Sequence, residues 1–461
     1  MAGGTWTAQN KVRPGAYIKF KAVSSTNPNL ATRGVMTMPV ALTWGPQKEV
    51  IELFSSDLVN GMSMDKIGYS AADPESLIFR QALGNCYKAY IYRMDAGGQK
   101  ASITVDGVTA TAKYYGTSGN SVAFSFVENA SSANMWDVIT YFRGTEKARQ
   151  TISKSSTVAE LVDNDWIEWG GTGVLPSNAV PATLLSGGTN GTVSNQVYTA
   201  TDGYFNKIKQ YTWNTMAIPQ ADSIADTTIK TAAVAFVRQL REDEGKKVQV
   251  VLHHDTSNYE GVISVRQGYK TATETIDPNM FTAYVAGLTA GSEVNVSNTY
   301  KVIDGAVSIV YEEGVAPYDH NAILQLLAKG QLVLSTRQDG SVVIEQDINT
   351  LHVPYPTADV NYAFSKNRVI RTLDGINTAI TNLFENTYIG KISNNEDGRN
   401  VFKADIIAYL NRLQTINAIQ NFNSQTDIDI AQGEAIDSVV VNLNVQPVDS
   451  MEKLYMTVNV Y

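Results

Sequence analysis

Ser102-Ile-Thr-Val-Asp-Gly-Val-Thr-Ala-Thr-Ala112 sets two short runs of β-branched and small residues on either side of Asp106-Gly107. A two-residue Asp-Gly connection favours positive φ at both positions, so the stretch reads as a β-hairpin. Further strand-like runs follow at 121–127 and 136–141, and the pattern continues to 182–185 before closing at Gly187-Gly-Thr-Asn-Gly191. Residues 95–191 are therefore expected to form a small β-sandwich.

What flanks this block has a different period. Before it come the apolar run Val35-Met-Thr-Met-Pro-Val-Ala-Leu-Thr-Trp44, a helix from Asp73-Pro74 to Leu83, and the strand Tyr87-Lys-Ala-Tyr-Ile-Tyr92. Pro74 suits the first helical position after an Asp cap, and Gly84 suits a C-terminal stop. After it, helical spacing over 224–241 aligns Ile229, Ala232, Ala233, Phe236, Val237 and Leu240 on one face. The buried strand Lys247-Val-Gln-Val-Val-Leu252 follows, and the cycle repeats with 262–265 and 280–288. The sandwich is thus expected to interrupt one α/β body whose halves are 34–94 and 192–345. That body ends in a helix at 321–328 and a hairpin pairing 332–334 with 342–344 across Asp339-Gly340.

A further unit, 346–461, carries two amphipathic helices. One spans 368–384, with Ile370, Leu373, Ile376, Ile380 and Leu383 inward; the other spans 401–413, with Phe402, Ile406, Ile407 and Leu410 inward. The loop 390–399 between them is hydrophilic. Residues 1–33 form an N-terminal arm and linker in which Ala16, Ile18 and Phe20 alternate with Tyr17, Lys19 and Lys21. At the other end, 438–445 and 453–461 are strand-like, and Leu454, Met456, Val458 and Val460 alternate with Tyr455, Thr457 and Asn459. The expected fold class is α+β and multidomain: an α/β body with an inserted β-sandwich, a two-helix α+β C-terminal domain, and extended strand arms at both ends, the C-terminal arm being 451–461.

Composition narrows the function classes. A chain of 461 residues with 43% hydrophobic and 18% charged residues can bury several cores. The net charge of −9 and the lack of any Lys/Arg run longer than Lys246-Lys247 argue against nucleic acid as a partner. No apolar stretch reaches the length of a membrane span, and residues 1–11 lack a signal-peptide core, so no membrane insertion and synthesis in the cytosol are expected. The single cysteine, Cys86, precludes an internal disulfide framework and reads as a small buried side chain.

Catalytic patterns fail one by one. His253-His254-Asp255 lies at a strand end of an α/β sheet, where active sites gather, yet adjacent strand residues point to opposite faces. His320 and His352 read as capping or packing residues. No G-x-S-x-G elbow occurs, Gly187-Gly-Thr-Asn-Gly191 lacks a following GKS or GKT, and Asp163-Asn-Asp165 and Asn395-Glu-Asp397 lack the distant Glu of a calcium loop. Neither an enzyme nor a cofactor nor a metal site is expected.

The terminal strands remain. An unpaired strand exposes backbone donors and acceptors, so it either folds back on its own sheet or is donated to another chain. Used head to tail, donation builds open helices or rings.

The order of these parts, from Arg13-Pro-Gly-Ala-Tyr-Ile through the interrupted α/β body to the two-helix unit ending on strands, resembles the tail sheath proteins of contractile phages and of phage-tail-like bacteriocins of Gram-positive hosts. The resemblance implies a body of subtilisin-like topology without its catalysis, and subunits stacked as hexameric rings around a tail tube in a virion tail or similar particle assembled in the host bacterial cytoplasm. It implies contraction that drives the tube through an envelope, and contacts with tube, baseplate and tail terminator proteins. By position, it makes Tyr17, Ile18, Lys19 and Phe20 the N-terminal donated strand and Leu454, Tyr455, Met456, Val458 and Val460 the C-terminal one. Val439, Val441, Leu443 and Val445 become the receiving strand. Residues 22–33 and 446–450 are hinge candidates, and Lys366, Arg368 and Arg371 form a basic cluster that could meet the tube. The competing readings are another self-assembling protein, such as a tube, capsid or surface-layer subunit, and a hydrolase with an unrecognised site.

Overall fold

The computed structural model describes residues 3–4, 12–13, 15–17, 33–194, 196–219 and 227–460. The chain is mixed α+β and divides into two compact units. One holds the described residues of 1–38, 81–89 and 212–461; the other holds 39–80 and 90–211.

The first unit is built on a parallel sheet. Val35–Val40, Thr215–Ala217, Gln249–His253, Val262–Val265 and Gln331–Leu332 lie side by side in that order, each pair parallel. Runs such as Val250-Val251-Leu252 are buried on both faces, as a helix-covered parallel sheet requires. The helix Thr227–Glu242 buries Ile229, Ala233, Phe236, Val237 and Leu240, leaving Ala232 at the margin of the expected face. Pro278–Gly291 starts on Asp277, whose carboxylate accepts from the Met280 amide, and it is buried along nearly its whole length. The expected hairpin forms with its first strand two residues later than read, Leu334–Thr336 against Val342–Ile344.

The C-terminal part of this unit carries Asn367–Leu383 and Glu396–Thr415. Ile376, Ile380, Phe402, Ile406, Leu410 and Leu413 form its core with Leu373 and Ile428. The first helix departs from the amphipathic expectation. Asn367, Arg368, Arg371, Asp374 and Asn377 are buried as well, because the polar side of its first three turns packs on charged partners within the same unit.

In the second unit, Thr145–Ser153, Ser132–Phe142, Val122–Asn129 and Val180–Leu184 make one antiparallel sheet, and Ile167–Gly171, Val108–Ala112 and Ser102–Val105 another. Asp106 and Gly107 both have positive φ, 46° and 83°, and Val105 pairs with Val108, so the Asp-Gly hairpin forms as expected. Residues 39–80, expected in the α/β body, group with the sandwich. Trp44 stacks on Trp166 at 4.9 Å inside the sandwich core, which Met64 also touches. Asp73 does not cap the following helix either: its carboxylate accepts from the Ser70 amide at 2.7 Å and pairs with Arg143 at 2.7 Å, and a 3-10 turn at Pro74–Ser76 precedes the helix Leu77–Leu83.

Candidate functional site

Ile428–Gln432 and Val439–Leu443 form an antiparallel pair, with Ile428 opposite Leu443 and Gln432 opposite Val439. Ile430, Val441, Leu443 and Val445 pack partly against the two-helix core, which fixes which face of the hairpin turns inward. Among the described residues this sheet has two strands, so each keeps one backbone edge outside any ladder. Val439, Val441 and Leu443 of the candidate receiving strand lie within the hairpin, and Val445 lies just beyond it. The partner strand escaped the sequence reading because only Ile428 and Ile430, alternating with Asp429, signal it.

Past the hairpin the chain stays bound for several residues. The Asn444 amide donates to Asp427 O, Pro447 bridges to Ile419, and the Val448 amide donates to Ala418 O at 2.9 Å. The Glu452 carboxylate then meets three groups: Lys366 Nζ at 2.5 Å, Thr299 Oγ1 at 2.8 Å and Gln346 Nε2 at 3.4 Å. Beyond it there is no strand at 453–460. Leu454, Tyr455, Met456, Val458 and Val460 are 85%, 89%, 73%, 68% and 91% exposed. The expected strand is absent because a ladder needs a second chain segment, and among the described residues none lies beside this one. At the other end, Ala16–Tyr17 pairs in parallel with Gly3–Gly4, while Ile18, Lys19, Phe20, residues 22–32 and Tyr461 lie outside the described residues.

The basic cluster does not form a surface. Lys366 lies on Glu452, Arg371 donates to Asp347 at 2.8 Å and to Val296 O at 2.6 Å, and Arg368 donates to Asn417 O at 3.2 Å. The side chains of Lys366 and Arg371 are 3% and 0% exposed. All three cations are buried in the unit and bonded to carboxylates or carbonyls, while Arg368 Nε and Arg371 Nε and Nη1 have no hydrogen-bond partner among the described residues. Burial alone would raise the Asp347 carboxyl, but Arg371 together with the Asn298 amide and Asn367 holds it below the usual carboxylate range. For Lys366, burial works to lower the ammonium and the Glu452 carboxylate more than offsets it, so its pKa is raised.

The histidine pair also differs from expectation. His253 Nε2 lies 2.7 Å and His254 Nδ1 3.2 Å from the same Glu312 oxygen. Strand alternation does not separate them because the strand ends at His253 and His254 turns left-handed, with φ 53°. Burial lowers both imidazoles, most of all against the opposing pull of Glu312. Their hydrogen-bond partners among the described residues are Asn279 and Glu312, so neither base is hydrogen-bonded there to a hydroxyl or thiol nucleophile. His352 Nδ1 bonds Thr350 O at 2.8 Å, and His320 opens a helix capped by Asp319.

The remaining motifs are structural. Cys86 is buried and its thiol is pushed up to about 12 by desolvation. Gly188 and Asn190 exchange hydrogen bonds with Asn120 and Thr117 within the sandwich. Asp163 and Asn164 accept from the amides of the following turn, and Asn395 caps the 396–415 helix. Among the described residues, no group of three His, Cys, Asp or Glu is placed to hold a metal, and no helix is long and apolar enough to cross a membrane.

Comparison with known proteins finds three domains of one family along the chain. Residues 95–190 match the phage tail sheath protein beta-sandwich domain, 191–350 the phage tail sheath protein central domain, and 359–461 the phage tail sheath C-terminal domain. The phage-like element PBSX protein XkdK of Bacillus subtilis is 33% identical over 486 residues that span all of both chains. The crystal structure of a sheath tail protein from Desulfitobacterium hafniense aligns with a TM-score of 0.78 at 38% identity, covering 96% of this chain and 99% of that one. The helical sheath of the anti-feeding prophage in its contracted state shares the fold, with a TM-score of 0.55 at 12% identity over 97% of this chain and 99% of that one. The chain belongs to the phage tail sheath protein family, as a structural sheath subunit.

Proposed function

We propose that this subunit polymerises by donating its terminal strands to neighbouring copies, forming stacked hexameric rings around a tail tube that contract to drive the tube through a target envelope. The observation that carries this is the segment 453–460, which forms no helix or strand, is exposed and is alternately apolar, on a unit that also offers open edges at 428–432 and 439–443. Burying each of its Leu, Met and Val side chains is worth about 1.5–3 kcal/mol, and a ladder satisfies the bare backbone as well. Leu454, Tyr455, Met456, Val458 and Val460 are the donated residues, and Val439, Val441, Leu443 and Val445 the receiving ones. Tyr17, Ile18, Lys19 and Phe20 serve at the N-terminal end. The α/β body, read as subtilisin-like in topology only, is the non-catalytic carrier between the arms, and the sandwich 95–191 is an outlying insertion. The partners are further copies of the chain, the tail tube, and baseplate and tail terminator proteins. The setting is a virion tail or phage-tail-like particle assembled in bacterial cytoplasm.

Deleting 453–461 tests the reading. The truncated chain is expected to keep its circular dichroism spectrum and to form no tubes by electron microscopy. Normal helical tubes from the truncated chain would overturn strand donation.

A further inference from the structure

We propose that Glu452 is the anchor of the C-terminal arm, so that the arm pivots at Lys453 and the preceding residues 446–450 move with the body. The inference deepens the strand-donation reading and rests on it for its purpose in the assembly; the anchor itself is a property of the single subunit.

Three observations meet at this point. Residues 444–450, rich in polar side chains and Pro, have the composition of a free linker, yet they are bound. Val448 N donates to Ala418 O, Pro447 bridges to Ile419, and Asn421 reaches Gln446 Oε1 at 3.3 Å. Among the described residues, Glu452 is the last one hydrogen-bonded inside the unit, and its partners come from separate elements. Thr299 follows the 278–291 helix, Gln346 follows the 342–344 strand, and Lys366 begins the 367–383 helix. Exposure dips at this one residue: Met451 is fully exposed, the Glu452 side chain is 10% exposed, and Leu454 is 85% exposed.

The pair also has no easy substitute. Lys366 is almost wholly enclosed, and removing Glu452 would leave its buried charge with only the more distant of the two acids, Asp449, so the pair resists opening more than an exposed one would. Asp449 lies a further 4.0 Å from the same ammonium and draws the linker toward it. A pull on the arm by a neighbouring copy is therefore delivered at Glu452 to three elements of the body at once, and the 444–450 segment is not peeled from residues 418–421. The hinge is short, one or two residues at 453, and this sets the direction in which the arm leaves each subunit.

Hydrogen exchange on the full-length chain, taken from the unassembled fraction after sedimentation, tests the anchor. In the parent chain the amides of 446–452 are expected to be protected and those of 454–460 to exchange freely. Glu452→Ala and Lys366→Met should each speed exchange of 446–452 by at least about tenfold, with the 367–383 helix unchanged in Glu452→Ala. The charge swap K366E/E452K should restore protection. If Lys366→Met disturbs the 367–383 helix, Glu452→Ala decides alone, since residue 452 belongs to no helix or strand. Unchanged protection in Glu452→Ala, or parent exchange at 446–452 as fast as at 454–460, would overturn the anchor. Failure of strand donation shows elsewhere, as tubes formed by the chain lacking 453–461, and leaves the exchange result standing.

Discussion

Arg241 and Asp374 face each other through two parallel bonds of 2.8 and 2.9 Å, and Arg241 also donates to Val248 O at 2.9 Å. The charges are buried, so Asp374→Ala should cost about 3–5 kcal/mol in denaturant unfolding, whereas the double change Arg241→Met with Asp374→Leu should recover most of it. Close by, burial and then the neighbouring Arg241 lower the Lys247 ammonium to about 8. The unfolded lysine keeps its ordinary value of 10.5, so between the two pH values the unfolded chain binds more protons and stability rises with pH. The thermal midpoint should rise across that window, and Lys247→Met should flatten the rise. Cys86, raised to about 12, holds almost no thiolate at pH 8, so iodoacetamide should leave the folded chain unmodified and label it fully in denaturant. The burial of Cys86 was legible from its apolar neighbours. The Arg241–Asp374 partnership was not, because 133 positions separate the two residues.

At the scale of elements, the 278–291 helix shows how packing overrides propensity. A Cβ on Gly287 would sit 2.0 Å from Ala82 O, and one on Gly291 would sit 1.7 Å from Asn85 O. On helix propensity alone Gly287→Ala would stabilise by about 0.5–1 kcal/mol. The close approach reverses the sign, and a loss of roughly 1–3 kcal/mol is expected, read as a lower thermal midpoint. The helix itself was legible from its apolar spacing. Its glycines were unremarkable until the 77–83 helix and its C-terminal turn were laid against them. The 367–383 helix taught the same lesson in reverse: its apolar stripe was plain, but its polar side faces Arg241 and Asp347 and not water.

At the scale of the whole molecule, the two ends of the sandwich segment meet: the Ala96 and Thr192 backbones exchange two bonds of 2.9 Å. Its core nevertheless reaches outside 95–191 to include Trp44. Replacing 97–190 by a short glycine linker should therefore leave Trp44 in water, seen as red-shifted tryptophan emission and low solubility, and adding Trp44→Ser should recover a soluble chain. The histidine pair, by contrast, sits apart from both arms in the sequence and bonds Asn279 and Glu312, so His253→Ala with His254→Ala should leave tube formation by electron microscopy unchanged.

By itself the sequence determined the mixed α+β class, the Asp-Gly hairpin, the long helices and the resemblance to sheath proteins, since period and turn chemistry act over a few residues and are written locally. The tertiary structure decided what each charge and each edge meets. It turned Lys366, Arg368 and Arg371 inward, brought two adjacent histidines onto Glu312, paired 439–443 with 428–432, and left 453–460 bare. Those outcomes depend on distances between residues far apart in the chain, and only the packed fold sets them.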